Sequence, residues 1–106
     1  MRKAKVYHDS LFCGFLEESD NGYRFTYSDE WYQDITKPAI SLTLPKSQKV
    51  YESPKFFSFF DGLIPEGYLF QEVTRHWNIP THDRFGILLK SGADCIGAVT
   101  LEEVEE

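Results

Sequence analysis

The sequence predicts an α+β domain: a mostly antiparallel sheet with about three short helices packed on one face. Two observations carry that expectation. Apolar residues alternate with a period of two around tight turns as far as Leu44, and from Ser53 to Gly92 they recur at helical spacing between capping residues. A third is the apolar run from Cys95 to Leu101, which reads as one closing strand.

Lys5 to Glu17 reads as a hairpin. Val6 and His8 lead into Asp9-Ser10 as the turn, and Leu11, Cys13 and Phe15 then alternate with Phe12 and Leu16. Apolar residues on both faces of this second strand predict that it is well covered. Asp20-Asn21-Gly22 supplies residues that tolerate positive φ, and Tyr23, Phe25 and Tyr27 alternate with Arg24, Thr26 and Ser28 in a half-buried strand. Asp29 to Asp34, with Trp31 and Tyr32, has the character of one helical turn that ends before Pro38. Ala39 to Leu44 reads as a further strand, with Ile40, Leu42 and Leu44 on one face and Pro45 as its stop.

Ser53-Pro54 has the form of a helix start, Ser as N-cap and Pro at the first helical position, and Phe56, Phe59 and Phe60 fall on one stripe behind it. With Phe57 the run is denser than one stripe needs, so an exposed Phe beside Tyr68 would make an aromatic hot spot. Asp61-Gly62 ends that helix, and Pro65-Glu66-Gly67 forms a turn that presents Tyr68, a residue suited equally to core and to interface. The next helix runs to about His76, its Leu69, Val73 and Trp77 stepping by fours with Phe70 beside them. Thr81 and Asp83 offer capping oxygens for a third helix carrying Phe85, Leu88 and Leu89, stopped by Gly92. Glu102 to Glu106 reads as a solvated acidic tail.

The 106 residues suit one domain, 1–106, and the nine Phe, six Tyr and two Trp can fill its core without disulfides. Cys13 and Cys95 have neither CxxC spacing nor a His at zinc-finger distance, so both are expected as buried free thiols, with no metal and no cofactor. No apolar run has the length of a signal-peptide core or a membrane span, which gives a cytoplasmic expectation without membrane contact. A net charge of -6, with eleven Lys and Arg spread along the chain, lacks the electrostatic footprint of a nucleic-acid binder. The same charge is compatible with a basic protein partner, and it also serves simply to keep a small domain in solution.

Catalytic signatures are missing. Ser91-Gly92-Ala93-Asp94 resembles a helix stop and not a phosphate cradle, and His8, His76 and His82 sit in no nucleophile motif. His8 suits a partly buried strand position satisfied by a hydrogen bond, and His82 an exposed helix start. The expectation is a binding module and not an enzyme. A small enzyme with an unrecognised His or Cys site is the rival, which substitutions at His8, His82, Cys13 and Cys95 would expose.

Several separated motifs, taken in order, carry a family resemblance: Tyr23-Arg24-Phe25-Thr26-Tyr27 with Trp31, Ile40 to Pro45, Phe56 through Gly67, Phe85-Gly86-Ile87-Leu88-Leu89, and Ile96 to Leu101. The chain resembles the first N-terminal subdomain of HipA-type serine/threonine kinase toxins over about Lys5 to Leu101. In that family a second N-terminal subdomain and a helical lobe follow and carry ATP binding and catalysis, so no kinase residue carries over to this chain. A stand-alone subdomain of this kind is similar to HipS, the small third component of HipBST toxin–antitoxin systems.

The resemblance implies an antitoxin that binds and neutralises a HipT-like kinase, together with a HipB-like helix-turn-helix protein that handles operator DNA. It implies a partner-binding set of Phe60, Asp61, Ile64, Pro65, Glu66, Gly67 and Tyr68, with Tyr68 reaching toward the catalytic cleft and Glu66 facing a basic group. Within that set the stretch from Ile64 to Tyr68 is the contact, while Phe56, Phe59 and Phe60 anchor the helix. A structural or activating subunit of a HipA-like kinase is the alternative within the binding class.

Overall fold

Asp9 and Ser10 both adopt positive φ, 49° and 69°, the conformation that lets a two-residue turn follow the twist of the strands it joins. They link β1 (Lys3–His8) to β2 (Leu11–Ser19) in a computed structural model that describes residues 1–95 and 97–104. β3 (Gly22–Tyr27), β4 (Val50–Ser53) and β5 (Val99–Glu103) complete a five-stranded sheet in the order β4-β3-β2-β1-β5, with every neighbouring pair antiparallel. Among the described residues four helices, α1 (Asp29–Gln33), α2 (Ser58–Asp61), α3 (Tyr68–His76) and α4 (Arg84–Ser91), and a 3-10 turn at Gly92–Asp94 accompany the sheet. The expected α+β architecture is therefore the observed one.

The inner face of the sheet supplies Ala4 and Val6, Cys13 and Leu16, Phe25 and Tyr27, Val99 and Leu101, all buried. Phe85, Ile87, Leu88 and Leu89 of α4 and Phe60 of α2 close over them. Cys13 and Leu16 both point inward although three positions separate them. A bulge opposite Val6/Tyr7 inserts one residue and changes the phase of the alternation. It also turns Phe12 and Phe15 to the opposite face, where they meet edge to face at 5.1 Å beside Tyr7, so the expected coverage of β2 on both sides by its own chain is not found.

The strand expected over Ala39–Leu44 does not form. Leu42 is fully exposed while Ile40 and Leu44 are buried. The buried Tyr27 hydroxyl, its ionisation pushed up to about 12 by burial, donates to the Leu44 carbonyl and accepts from the Ile40 N–H at 3.1 Å. Those backbone groups are thereby withdrawn from any ladder, and the alternation of Ile40, Leu42 and Leu44 only imitates a strand. Trp31 Nε1 donates to the Pro38 carbonyl at 2.9 Å, and Lys46 Nζ to the carbonyls of Asp34 and Lys37 at 2.6 and 2.8 Å, so side chains hold this segment in place of strand pairing.

Its place in the sheet is taken by β4, whose Tyr51 and Ser53 pair with Phe25 and Tyr23. Ser53 is therefore not a helix cap. Its Oγ accepts from the Lys55 N–H at 3.2 Å, closing a turn over Pro54, and α2 starts only at Ser58. A Cβ on Gly22, which has φ +140°, would lie 2.1 Å from the Ser53 carbonyl oxygen, so glycine is needed for the two chains to approach here. α4 begins as expected, with the Asp83 carboxylate accepting from the Gly86 N–H at 3.1 Å. It does not stop by a left-handed glycine: Gly92 has φ −65° and leads into the 3-10 turn, and its missing side chain lets the chain pass close to Leu101. β5 begins later than expected and continues through Glu103, pairing Glu102 with Lys5, so the first part of the predicted acidic tail is strand. Ile96 of the predicted strand and residues 105–106 of the tail lie outside the described residues.

Arg2 joins both layers. Its guanidinium makes paired bonds to Glu18 at 2.8 and 2.9 Å and to Asp83 at 2.7 and 2.9 Å, above the Phe85 ring. The bonds from Arg2 hold both carboxyls below their usual range. Carboxylates of this kind add stability above their unfolded pKa and lose it as pH falls through the folded value. Unfolding midpoints in urea should therefore fall as pH drops below about 4.5. Arg2→Met should cost on the order of 1–3 kcal/mol at neutral pH and flatten that acid slope; an unchanged slope would show that Arg2 is not its source.

Candidate functional site

Between α2 and α3 the chain rounds an exposed turn. Asp61 and Gly62 close α2 through backbone bonds to Phe57 and Ser58, and the N–H groups of Leu63 and Ile64 reach back to Phe60 and Asp61 at 3.1 Å. Pro65 is half-buried, whereas Glu66, Gly67 and Tyr68 are exposed. Gly67 has φ 63° and ψ −130°, a conformation that L side chains rarely adopt, and it turns the chain into α3. Tyr68, the first residue of that helix, is 72% exposed. This resolves its two readings in favour of the surface.

The seven residues expected to contact a partner thus divide by position. Phe60 has no accessible surface and Ile64 is 5% exposed, so both hold the turn from inside. Asp61 Oδ1 accepts from Arg84 Nε at 2.6 Å, and the Arg84 guanidinium lies over the Phe70 ring, fixing α2 against the segment that follows. Glu66, Gly67 and Tyr68 are the exposed members, and Pro65 and the ion-paired Asp61 are partly accessible. None of the four phenylalanines of the Phe56–Phe60 run is exposed. Phe56 packs edge-on to Tyr23 at 5.0 Å, and Phe57 and Phe59 flank Phe60 at 6.0 and 5.2 Å.

Sequence reasoning did not anticipate the solvent side of α3. Leu69 and Trp77 are 61% and 51% exposed, and α3 has no buried residue. With Val73 they line a cleft of about 620 Å3 whose other walls are the turn at 62–66, the end of α4 at Lys90 and Ser91, and Asp94 with Cys95. The period-four stripe was legible, but a stripe does not say whether the chain itself covers it.

The groups weighed for chemistry are dispersed. His8 packs on Trp31 at 5.5 Å with Nδ1 3.6 Å from Asp9, and His76 and His82 are exposed. Cys13 is buried and free, its thiol pushed up to about 12 by burial and donating to the Val6 carbonyl; Cys95 is free but only half-buried, its thiol also pushed up. Both are held in the protonated, weakly nucleophilic form at neutral pH. Among the described residues no His, Cys, Asp and Glu cluster suits a metal ion. No helix among them is long and apolar enough to cross a membrane.

An antiparallel sheet roofed by helices on one face, with an aromatic turn projecting from the roof, defines the class: an α+β domain that presents a preformed apolar surface. The chain belongs to the HipA N-terminal domain family, whose pattern it matches over residues 4–102. It superimposes on a solved N-terminal domain of HipA toxin with a TM-score of 0.77 at 33% identity, covering 100% of this chain and 95% of that one. A protein of Haemophilus influenzae is 34% identical over 106 residues, covering 100% of this chain and 96% of its own length. Y4mE of Sinorhizobium fredii, which carries the name of a kinase, is 26% identical over 102 residues, and there the match spans 95% of this chain but only 24% of the relative.

Proposed function

We propose that the chain is an antitoxin that docks on a HipT-like serine/threonine kinase and neutralises it, without catalysing a reaction itself. The observation that carries this reading is the Glu66–Tyr68 turn, an exposed tyrosine presented by a positive-φ glycine turn of a HipA N-terminal domain. An aromatic side chain has few rotatable bonds to immobilise on binding, and seated in a kinase cleft it would exclude nucleotide or substrate. Glu66, within a chain of net charge -6, suits a basic group beside that cleft. Burial of the Cys13 and Cys95 thiols argues against a cysteine nucleophile, the one part of the rival enzyme reading that it touches. In this reading the complex is cytoplasmic, and DNA is contacted by a HipB-like helix-turn-helix protein bound through the kinase.

Docking alone would serve an activating subunit as well, and growth separates the two. Cells expressing the HipA-like kinase of the same genome should stop growing, and co-expression of this chain should restore growth. Deeper arrest on co-expression would establish activation and overturn the antitoxin reading.

A further inference from the structure

α3 is poorly supported by its own chain. It has nine residues, fewer than the roughly 12–15 at which isolated helices become even marginal in water, and its N-cap is a glycine that makes no side-chain bond. Its half-buried Phe70 and Val73 are its apolar contacts with the core. Leu69 and Trp77 nonetheless stand exposed on one side of it and open onto the 620 Å3 cleft, within the size range of sites that bury a ligand, while Tyr68 lies outside that cleft.

The rim of that cleft is acidic. Lys90 is already committed: its Nζ is 2.8 Å from Glu103 and lies over the Trp77 indole at 4.8 Å. Glu66 and Asp94 stand at the same rim, exposed, and among the described residues neither takes part in an ion pair. An apolar floor beneath two uncompensated carboxylates is complementary to apolar side chains flanked by a cation. A polypeptide supplies both parts at once, apolar side chains for Leu69, Val73 and Trp77 and a cation for the rim. About three quarters of the kinase-named relative lies outside its matched region, so in that protein further chain is available to this domain.

We infer that the cleft between the 62–66 turn, α3 and the 3-10 segment seats an apolar segment of the HipA-like kinase carrying a lysine or arginine, and that docking orders α3. This rests on the kinase reading above and adds to it a second contact: the turn blocks, and the cleft holds.

Calorimetry and hydrogen exchange with the HipA-like kinase of the same genome test it. Leu69→Asp and Trp77→Ala, at exposed positions, should each weaken kinase binding about 30-fold or more. Asp94→Lys should weaken it about tenfold and reduce its salt dependence. In the wild-type chain, which needs no substitution, amides of 69–77 should gain protection on binding. Full affinity in Leu69→Asp and Trp77→Ala, or unchanged exchange in α3, would overturn the cleft while leaving the kinase reading intact. Tighter binding by Asp94→Lys would overturn the basic flank. A wild-type dimer dissolved by Leu69→Asp would make the occupant a second copy, and a kinase that does not bind the wild-type chain would remove both proposals.

Discussion

Phe60→Ala should lower the free energy of unfolding by about 3–5 kcal/mol, a large share of the roughly 5–15 kcal/mol that holds a domain of this kind folded. Phe60 has no accessible surface, lies 5.5 Å from the Phe25 ring on the sheet, and is enclosed by Phe57 and Phe59. Truncation removes the apolar contact and leaves a cavity that these rings, each fixed by its own neighbours, cannot collapse to fill. α2 would loosen with it, and the 62–66 turn would lose its footing. A urea midpoint within the equivalent of about 1 kcal/mol of wild type would show that α2 does not anchor the turn. Any loss of kinase binding in Phe60→Ala is thus expected through folding and not through a lost contact.

Tyr68→Ala should do the reverse. The side chain is mostly in solvent, so folding stability should stay within about 0.5 kcal/mol of wild type, as for most surface changes. If the tyrosine is the blocking group, kinase neutralisation should weaken by about 2 kcal/mol or more, roughly 30-fold. The pair of variants separates support from contact inside one aromatic stretch, which composition alone could not do. A folded Tyr68→Ala that neutralises as well as wild type would remove Tyr68 from the mechanism.

Much of the fold is written in local signals. The β1–β2 turn, the alternation of β3, the single helical turn of α1 and the Asp83 cap of α4 are each specified by a few adjacent residues, and all form. What was illegible depends on distant partners. β4 is four residues long, mixed in character and followed by Pro54, and its place at the sheet edge is set by pairing with β3 and by the close approach at Gly22. The segment 39–44 carries a strand pattern that the Tyr27 hydroxyl overrides. Arg2 binds Asp83 across 81 residues, a contact that no spacing rule anticipates.

The candidate site was legible as a turn but not in depth. Pro65-Glu66-Gly67 is recognisable from its residues alone, yet the same sequence does not say that Ile64 faces inward and Tyr68 outward. Nor does the stripe of Leu69, Val73 and Trp77 say that α3 rests on the roof of the domain with that stripe largely open to solvent. Its exposure is a property of how α3 meets α4, and only the assembled fold contains it.

The central claim is that this chain silences a HipA-like kinase through the turn at Tyr68. The most direct measurement is the autophosphorylation rate of that kinase, purified and titrated with the wild-type chain and with Tyr68→Ala. Suppression by the wild-type chain, with a clearly weaker effect of Tyr68→Ala, is the predicted result; autophosphorylation unchanged or accelerated at saturating wild-type chain would contradict it.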